Sequence, residues 1–449
     1  MYLAYSLLLT VGLLILIPYF LYQALAHGKY LSGLRQRLGS VPEVQGSGKP
    51  VIWLHSVSVG ETQAARPLID SLRQTYPDHV LVVSTITQTG QNLAQQSLAD
   101  QASAVFYFPF DWKWTVRRTL AQVKPSLVLL METELWPNFL KECSSQSIPV
   151  ALVNGRISRQ SFRRYGLITP FMKRILDNLN IAIMQTDKDA ERIHTLGVPY
   201  ERLFVSGNLK FDSKESPSAS KSIDELNQRF ALSSDTPLIL AASTHEPEEK
   251  ILLESFELVR RAERVRLMLA PRHPQRFDEV AALIQSKGLS WTRRSHVPDA
   301  ADSNVDVILL DSIGELPSLY RFASVCFVGG SIVDKGGHNV LEPASVGICV
   351  VTGAYTHNFD EIVNLLLAEN GLEQLPPLEL DAAAAELSRR LIELLQDETK
   401  RQKMGKKAMA VVEANRGSTL KTIGLLKTLI NATSSKNEKQ DSVLASNAS

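Results

Sequence analysis

The chain has 449 residues and is 44% hydrophobic, enough for two ordinary globular domains rather than one. Lys plus Arg (48) nearly cancels Asp plus Glu (47), a balance that argues against a dedicated nucleic-acid binder. The three cysteines, Cys143, Cys326 and Cys349, lie far apart with no C-x-x-C pair, so they read as reduced thiols rather than a disulfide framework or a zinc site.

The first element is apolar. Leu3 to Ala26, LAYSLLLTVGLLILIPYFLYQALA, carries no charge. A helix of that length, at about 1.5 Å per residue, crosses a hydrocarbon core of about 30 Å. Tyr2 and Tyr5 flank one end and Tyr19, Phe20 and Tyr22 the other, as aromatic belts do. A cleaved signal peptide is the rival reading, because Ala24-Leu25-Ala26 resembles a cleavage site. A basic n-region is missing, however, and Lys29, Arg35 and Arg37 follow the run. The expectation is an uncleaved single-pass anchor over residues 1–28, with the remainder cytoplasmic by the positive-inside rule.

Beyond it, β-branched runs alternate with amphipathic stretches. Val51–Val57, Val80–Thr85, Val105–Phe108, Leu127–Leu130, Val150–Val153 and Ile181–Gln185 read as strands. Helical patterns such as Thr62–Tyr76 and Leu135–Ser145 follow them. The polar stretch SGNLKFDSKESPSASKS, from Ser206, breaks the pattern and reads as a linker over 207–220. Strands then recur at Leu238–Ala242, Val265–Ala270, Val305–Leu310, Val325–Val328 and Ile348–Val351. Helical segments Ala382–Leu395, Arg401–Ala414 and Ser418–Ile430 follow, and the polar residues 433–449 read as a disordered tail. The fold class is α/β, with two doubly wound Rossmann-like domains over 29–206 and 221–432. Ligands of such sheets bind beyond the carboxyl ends of the strands, so two facing domains share a cleft.

The residues that carry chemistry gather at those strand ends. In HSVSVGE, Glu61 falls in the first turn of a helix, where it either complements the helix dipole or acts as a base in the cleft. METELWPN places Glu132 and Glu134 at another strand end before Pro137, as helix caps or as carboxylates that raise the proton affinity of a neighbour. In FVGGSIVDKGGHNVLEPASVG a strand runs into glycines and then a helix beginning near His338 or Asn339, whose amides can take a phosphate, with Glu342 in reach of a ribose hydroxyl. APRHP, with Arg272 and His273, joins SIGEL, Ser312 to Leu316, and Lys210 on the same edge. NGRISRQSFRRYGLITPFMKR is basic with interleaved aromatics, which suits an anionic lipid headgroup, an RNA, or a plain solvated helix face. Asp187-Lys188-Asp189 spells a metal-binding Asp-x-Asp, but Thr186 before it makes helix capping the simpler account.

Taken together, LHSVSVGE, METELWPN, NGRIS, GNLKFD, APRHP and FVGGS…GGHNVLEPA resemble the lipid A 3-deoxy-D-manno-octulosonic acid (Kdo) transferases, membrane-anchored glycosyltransferases of the GT-B fold. The resemblance runs from the anchor to about Ile430. It implies transfer of Kdo from CMP-Kdo to the phosphorylated disaccharide precursor of lipid A, with inversion, no metal and no other cofactor. It implies Glu61 as general base, with Glu132 and Lys210 assisting the transition state. It implies CMP on Pro271, Arg272, Ser312, Ile313, Gly314, Glu315, Asn339, Val340, Leu341 and Glu342. The acceptor would meet Arg156, Arg159, Arg163 and Arg164, at a bacterial inner membrane. Two rivals stay open: a nucleotide-sugar epimerase of the same fold, and a non-catalytic, membrane-tethered nucleotide-sugar sensor that keeps the second-domain pocket without needing Glu61.

Overall fold

A computed structural model describes residues 1–27, 33–44, 48–213, 220–233 and 235–431. The chain divides into two compact units, Met1–Ser213 with Arg416–Ser449, and Lys214–Asn415. The core of the expected linker, 214–219, and the expected disordered tail lie outside the described residues.

The first unit is built on seven strands: β1 Val51–His55, β2 Val80–Thr85, β3 Ala104–Tyr107, β4 Pro125–Met131, β5 Val150–Gly155, β6 Ile181–Met184 and β7 Leu203–Val205. Their order is β3-β2-β1-β4-β5-β6-β7, and every pair is parallel. Helices cover both faces, so the strands read as continuous apolar runs: β1, β2 and β5 are buried at every position. Trp53 anchors one face, its ring 5.1 Å from Phe139 and 5.4 Å from Phe106. The other face packs Leu54 and Leu129 with Leu68, Leu72, Leu426 and Ile430. Those last two belong to the helix over 418–431, which the sequence boundary at 432 assigns to the second domain. Instead the amide of Gly417 donates to Asp212 Oδ1 at 2.7 Å and the Thr422 hydroxyl to Ser206 Oγ at 3.1 Å, docking that helix in the first unit.

The second unit repeats the plan with β8 Leu238–Thr244, β9 Arg266–Pro271, β10 Trp291–Arg293, β11 Val307–Leu309, β12 Val325–Val328, β13 Cys349–Thr352 and β14 Leu372–Gln374. The order is β10-β11-β9-β8-β12-β13-β14, again all parallel. In each sheet the chain starts in the middle and winds both ways. That leaves a crevice at the carboxyl ends of β1 and β4 in one unit and of β8 and β12 in the other. The three cysteines are buried and free.

The amino-terminal expectation is corrected. Residues Tyr2–His27 form a helix with Pro18 inside it. No helix among the described residues is long and apolar enough to cross a membrane. A single-pass anchor is therefore not supported, nor is the inner-membrane placement built on it. The physical reason lies in contacts with the first unit. Asn138 Nδ2 donates to Ser6 Oγ at 2.9 Å, Trp112 Nε1 to Thr10 Oγ1 at 3.0 Å, and the Tyr2 hydroxyl to the Arg174 carbonyl at 3.1 Å. Tyr2, Ser6 and Thr10, spaced by four, form one polar stripe that faces protein. The Tyr2 ring, expected at a lipid interface, lies 5.9 Å from Phe171 under the Lys141 ammonium.

Candidate active site

At the end of β1 the chain turns through Ser56-Val57-Ser58 into the helix Val59–Thr75. Ser58 is its N-cap, in extended backbone conformation, and receives the Glu61 amide at 3.4 Å. Glu61 reaches back: the Val57 amide donates to its Oε2 at 2.8 Å and the Ser58 hydroxyl to its Oε1 at 3.0 Å. Glu61 therefore caps the first turn, as the first of the two readings expects, and it lies at the carboxyl end of β1. The residue is only 9% exposed. Burial first, then the charge of Glu132, push its pKa up to about 7, against the pull of the Val57 and Ser58 hydrogen bonds. His55, the other ionisable group of this loop, is fully buried, stacked 3.9 Å from Phe108 and bonded through Nδ1 to Ser84; burial lowers it to about 3.

Glu132 follows β4, the neighbour of β1. It sits at φ 53°, in the left-handed region, with its amide on the Val153 carbonyl at 3.1 Å. Asn154 on β5 takes φ 52°. Such backbone, costly for residues other than glycine, concentrates at functional sites. Glu134 accepts from Trp136 Nε1 at 3.1 Å, and burial raises its pKa to about 7 with help from the Glu132 charge. Neither glutamate caps the helix Pro137–Ser145. Asp111 does, from a distant loop: its carboxylate accepts the Asn138 amide at 3.0 Å and the Phe139 amide at 2.8 Å. Burial raises Asp111 to about 7 in spite of those bonds.

Lys210 lies in the short turn Leu209–Asp212 after β7, within the first unit. Its amide donates to Asn208 Oδ1 at 3.0 Å; Asn208 Nδ2 donates to Gln185 Oε1 at 2.9 Å, and Gln185 Nε2 to the Asn154 carbonyl at 3.0 Å. The Leu209 amide closes the ring on Asn154 Oδ1 at 3.0 Å. Two separate motifs, with Gln185 just after β6, thus meet in one amide relay at Lys210. Sequence reading places Asn154 and Asn208 in motifs but has no signal that they join.

The basic segment folds as two helices, Arg159–Gly166 and Thr169–Leu176. Arg159, Arg163 and Arg164 are exposed and Arg156 is half-buried, whereas Phe162, Tyr165 and Phe171 pack on the core. The aromatics therefore hold the two helices on the core, while the arginines face outward. Asp189 is a helix partner: its carboxylate accepts from the Ile157 amide at 2.9 Å and the Thr186 hydroxyl at 2.6 Å. Among the described residues no group of three acidic, histidine or cysteine side chains is placed to hold a metal ion.

In the second unit, Pro271 ends β9 and the Arg272 amide bonds the Thr244 carbonyl at 3.0 Å, leaving the Arg272 and His273 side chains exposed. The Ser312 hydroxyl donates to Glu315, which Arg294 grips through Nε at 3.0 Å and Nη2 at 2.9 Å, so Ile313 and Gly314 are presented outward. Asn339 Nδ2 donates to Glu342 Oε1 at 3.0 Å, and the buried Tyr320 also bonds Glu342. Val340 and Leu341 are buried, so they can offer a ligand backbone only.

The expected amide cradle is different in detail. The helix starts at Leu341, not His338, and runs only to Ser345. The Gly337 amide is taken by the Gly330 carbonyl at 2.7 Å and the His338 amide by the Gly329 carbonyl at 3.2 Å. Those amides close the glycine loop instead of waiting for a phosphate. The loop is also held by Glu248, unsuspected from sequence. Its buried carboxylate accepts amides of Gly330 at 2.7 Å, His245 at 3.0 Å, and Ser331 and Ile332 at 2.9 Å each. A Cβ on Gly329 would stand 2.6 Å from the Ser243 carbonyl oxygen and 2.8 Å from the same carboxylate, which explains the glycine.

A profile of the family described as 3-Deoxy-D-manno-octulosonic-acid transferase (kdotransferase) matches residues 32–213. A 3-deoxy-D-manno-octulosonic acid transferase of Haemophilus influenzae is 35% identical over 405 residues, 89% of this chain and 92% of that protein. A Bordetella pertussis protein of the same description is 34% identical over 383 residues, 84% and 86% of the two chains. Among solved structures, UDP-GlcNAc 2-epimerase from Neisseria meningitidis superposes with a TM-score of 0.57 at 15% identity, covering 84% of this chain and all of that one. At that identity the likeness is one of fold.

Proposed function

The chain belongs to the 3-deoxy-D-manno-octulosonic acid transferase family, and from that premise we propose how its residues perform transfer of Kdo in lipopolysaccharide synthesis. The donor is CMP-Kdo, held by the second unit through Pro271, Arg272, the Ser312–Glu315 turn and Asn339 to Glu342. The acceptor is a phosphorylated, lipid-linked disaccharide, with its phosphate drawn to Arg156, Arg159, Arg163 and Arg164.

Glu61 accepts the proton of an acceptor hydroxyl as that oxygen attacks the anomeric carbon. Cytidylate departs from the opposite face and the configuration inverts. Glu132 keeps the proton affinity of Glu61 high, and Lys210 meets negative charge that grows on the leaving phosphate. Metal-independence follows from the family resemblance and is tested by adding a chelator. The observation that carries the assignment is a buried carboxyl tuned to about 7 by burial and a neighbouring acid, at the mouth of β1. A general base works best near the operating pH, so this tuning fits the role.

Transfer from freshly generated CMP-Kdo to a tetraacylated lipid A precursor, in detergent with EDTA, tests it. Wild type should form product, and Glu61→Gln should bind CMP while losing turnover. Full activity in the variant would overturn the role of Glu61. CMP binding with no transfer by either protein would favour a nucleotide-sugar sensor.

A further inference from the structure

His245 and His338 face each other with their Nε2 atoms 2.7 Å apart and their ring planes within 3° of parallel. Two bare lone pairs at that distance repel and two N–H groups collide. One nitrogen therefore carries the proton and the other accepts it, and where both rings are neutral they are opposite tautomers. His273 stands edge-on, 5.0 Å from His245. The three residues follow β8, β12 and β9, which are adjacent in the sheet and flank the crevice of the second unit. Gly330 makes the pairing possible: a Cβ there would lie 3.0 Å from His338 Cδ2 and 3.5 Å from His245 Cδ2.

Cations predominate around the pair, although Arg276 is itself paired with Glu249 at 2.8 Å and Glu279 at 2.9 Å. Arg272, His273, Arg276 and Lys335 all act on His245, and Arg272 and His273 also act on His338. Glu248, the acid beside His245, has its carboxylate engaged by four amides. Burial and this surrounding lower His245 to about 4 and His338 to about 3, so the pair is neutral at neutral pH. An anion placed beside Arg272 would offset that field and favour a protonated ring.

We infer that the His245–His338 pair is a proton-linked latch for the anionic part of the donor nucleotide. On docking beside Arg272 the N–H···N bond breaks, one ring takes a second proton from solvent, and the resulting imidazolium donates to a phosphate oxygen. This rests on the reading of the second unit as the donor site. It adds one proton to donor binding and removes one on release, without any covalent change.

Spectra of the full chain labelled with 15N-histidine decide it, recorded at pH 6.5 with and without saturating cytidine 5′-monophosphate. Signals are assigned with His245→Gln and His338→Gln. The expected free spectrum has two neutral rings of opposite tautomer, and the nucleotide converts one of them to imidazolium. The Gln variant of that ring binds the nucleotide roughly tenfold more weakly, as loss of one charge-assisted hydrogen bond implies. Two rings that stay neutral while the nucleotide is bound overturn the latch and leave the donor site standing. An imidazolium already present without nucleotide overturns it too. No nucleotide binding by wild type overturns the donor-site reading, and the latch with it. If either variant fails to fold, the pair is assigned in the wild type by the 15N–15N coupling across its N–H···N hydrogen bond, which keeps these outcomes distinct.

Discussion

Ser58 and Glu61 cap each other: the serine hydroxyl donates to Glu61 Oε1 at 3.0 Å and receives the Glu61 amide at 3.4 Å. The bond that starts the helix also fixes the proposed base, so local folding and catalytic geometry depend on the same two side chains. Ser58→Ala should therefore affect both. It should destabilise the first unit by about 1 kcal/mol, the usual cost of a lost cap, and reduce kcat more than KM. Denaturation midpoints with steady-state kinetics check it; a change in KM alone would argue against a positioning role.

Transfer should depend on pH through Glu61. Its active form is the carboxylate, so kcat should climb as pH rises through about 7 and level off above. Glu61→Gln should abolish this limb together with about two to four orders of magnitude of rate.

Stability should move the other way. Glu61 binds its proton more tightly folded than unfolded, so its contribution is fully present below 4.5 and is lost as pH rises through about 7. Removing the charge with Glu61→Gln should flatten that part of the profile and raise neutral-pH stability by up to about 3 kcal/mol, at about 1.4 kcal/mol per pH unit. Thermal unfolding at pH 5 and pH 8 measures it. Asp111 and Glu134, also raised to about 7, leave a residual slope of the same sign.

Asp111→Ala should cost about 2 kcal/mol, because two amides at the start of Pro137–Ser145 lose their acceptor in a buried place. Glu134→Gln, by contrast, should leave that helix intact. Circular dichroism melts of the two variants separate a capping role from a chemical one.

Glu248→Gln puts an N–H₂ where four amides point, and should loosen the Gly329–Ile332 loop. The expected result is a loss of about 2 kcal/mol, with hydrogen exchange rising at Gly330, Ser331 and Ile332. Unchanged protection there would contradict the assignment of Glu248 as the loop's anchor.

Local pattern was enough for much of the fold. Val80–Thr85 and Val325–Val328 are strands over the same residues that the apolar runs predict, because strands covered on both faces must be apolar throughout. The three-residue edge strands Leu203–Val205, Trp291–Arg293 and Leu372–Gln374 were not legible, since so short a run with mixed burial has no period. Glu61 and Glu132 were legible as residues at strand ends. That they act on one another was legible only as one of two alternatives, because it depends on β1 and β4 being neighbours.

By itself the sequence determined two parallel α/β units, the strand-end loops that carry their polar residues, and a family resemblance that relatives at 35% and 34% identity support. Only tertiary structure decided which acid caps which helix, which carboxylate holds the glycine loop, and which histidines meet within hydrogen-bond distance. It also set the polar stripe of the first helix against protein, where an uncharged sequence reads as a membrane span. The physical reason is common to all of these. Hydrophobic period is written in neighbouring residues, whereas a buried polar group is satisfied by whatever donor the packed chain brings to it, from any distance in sequence.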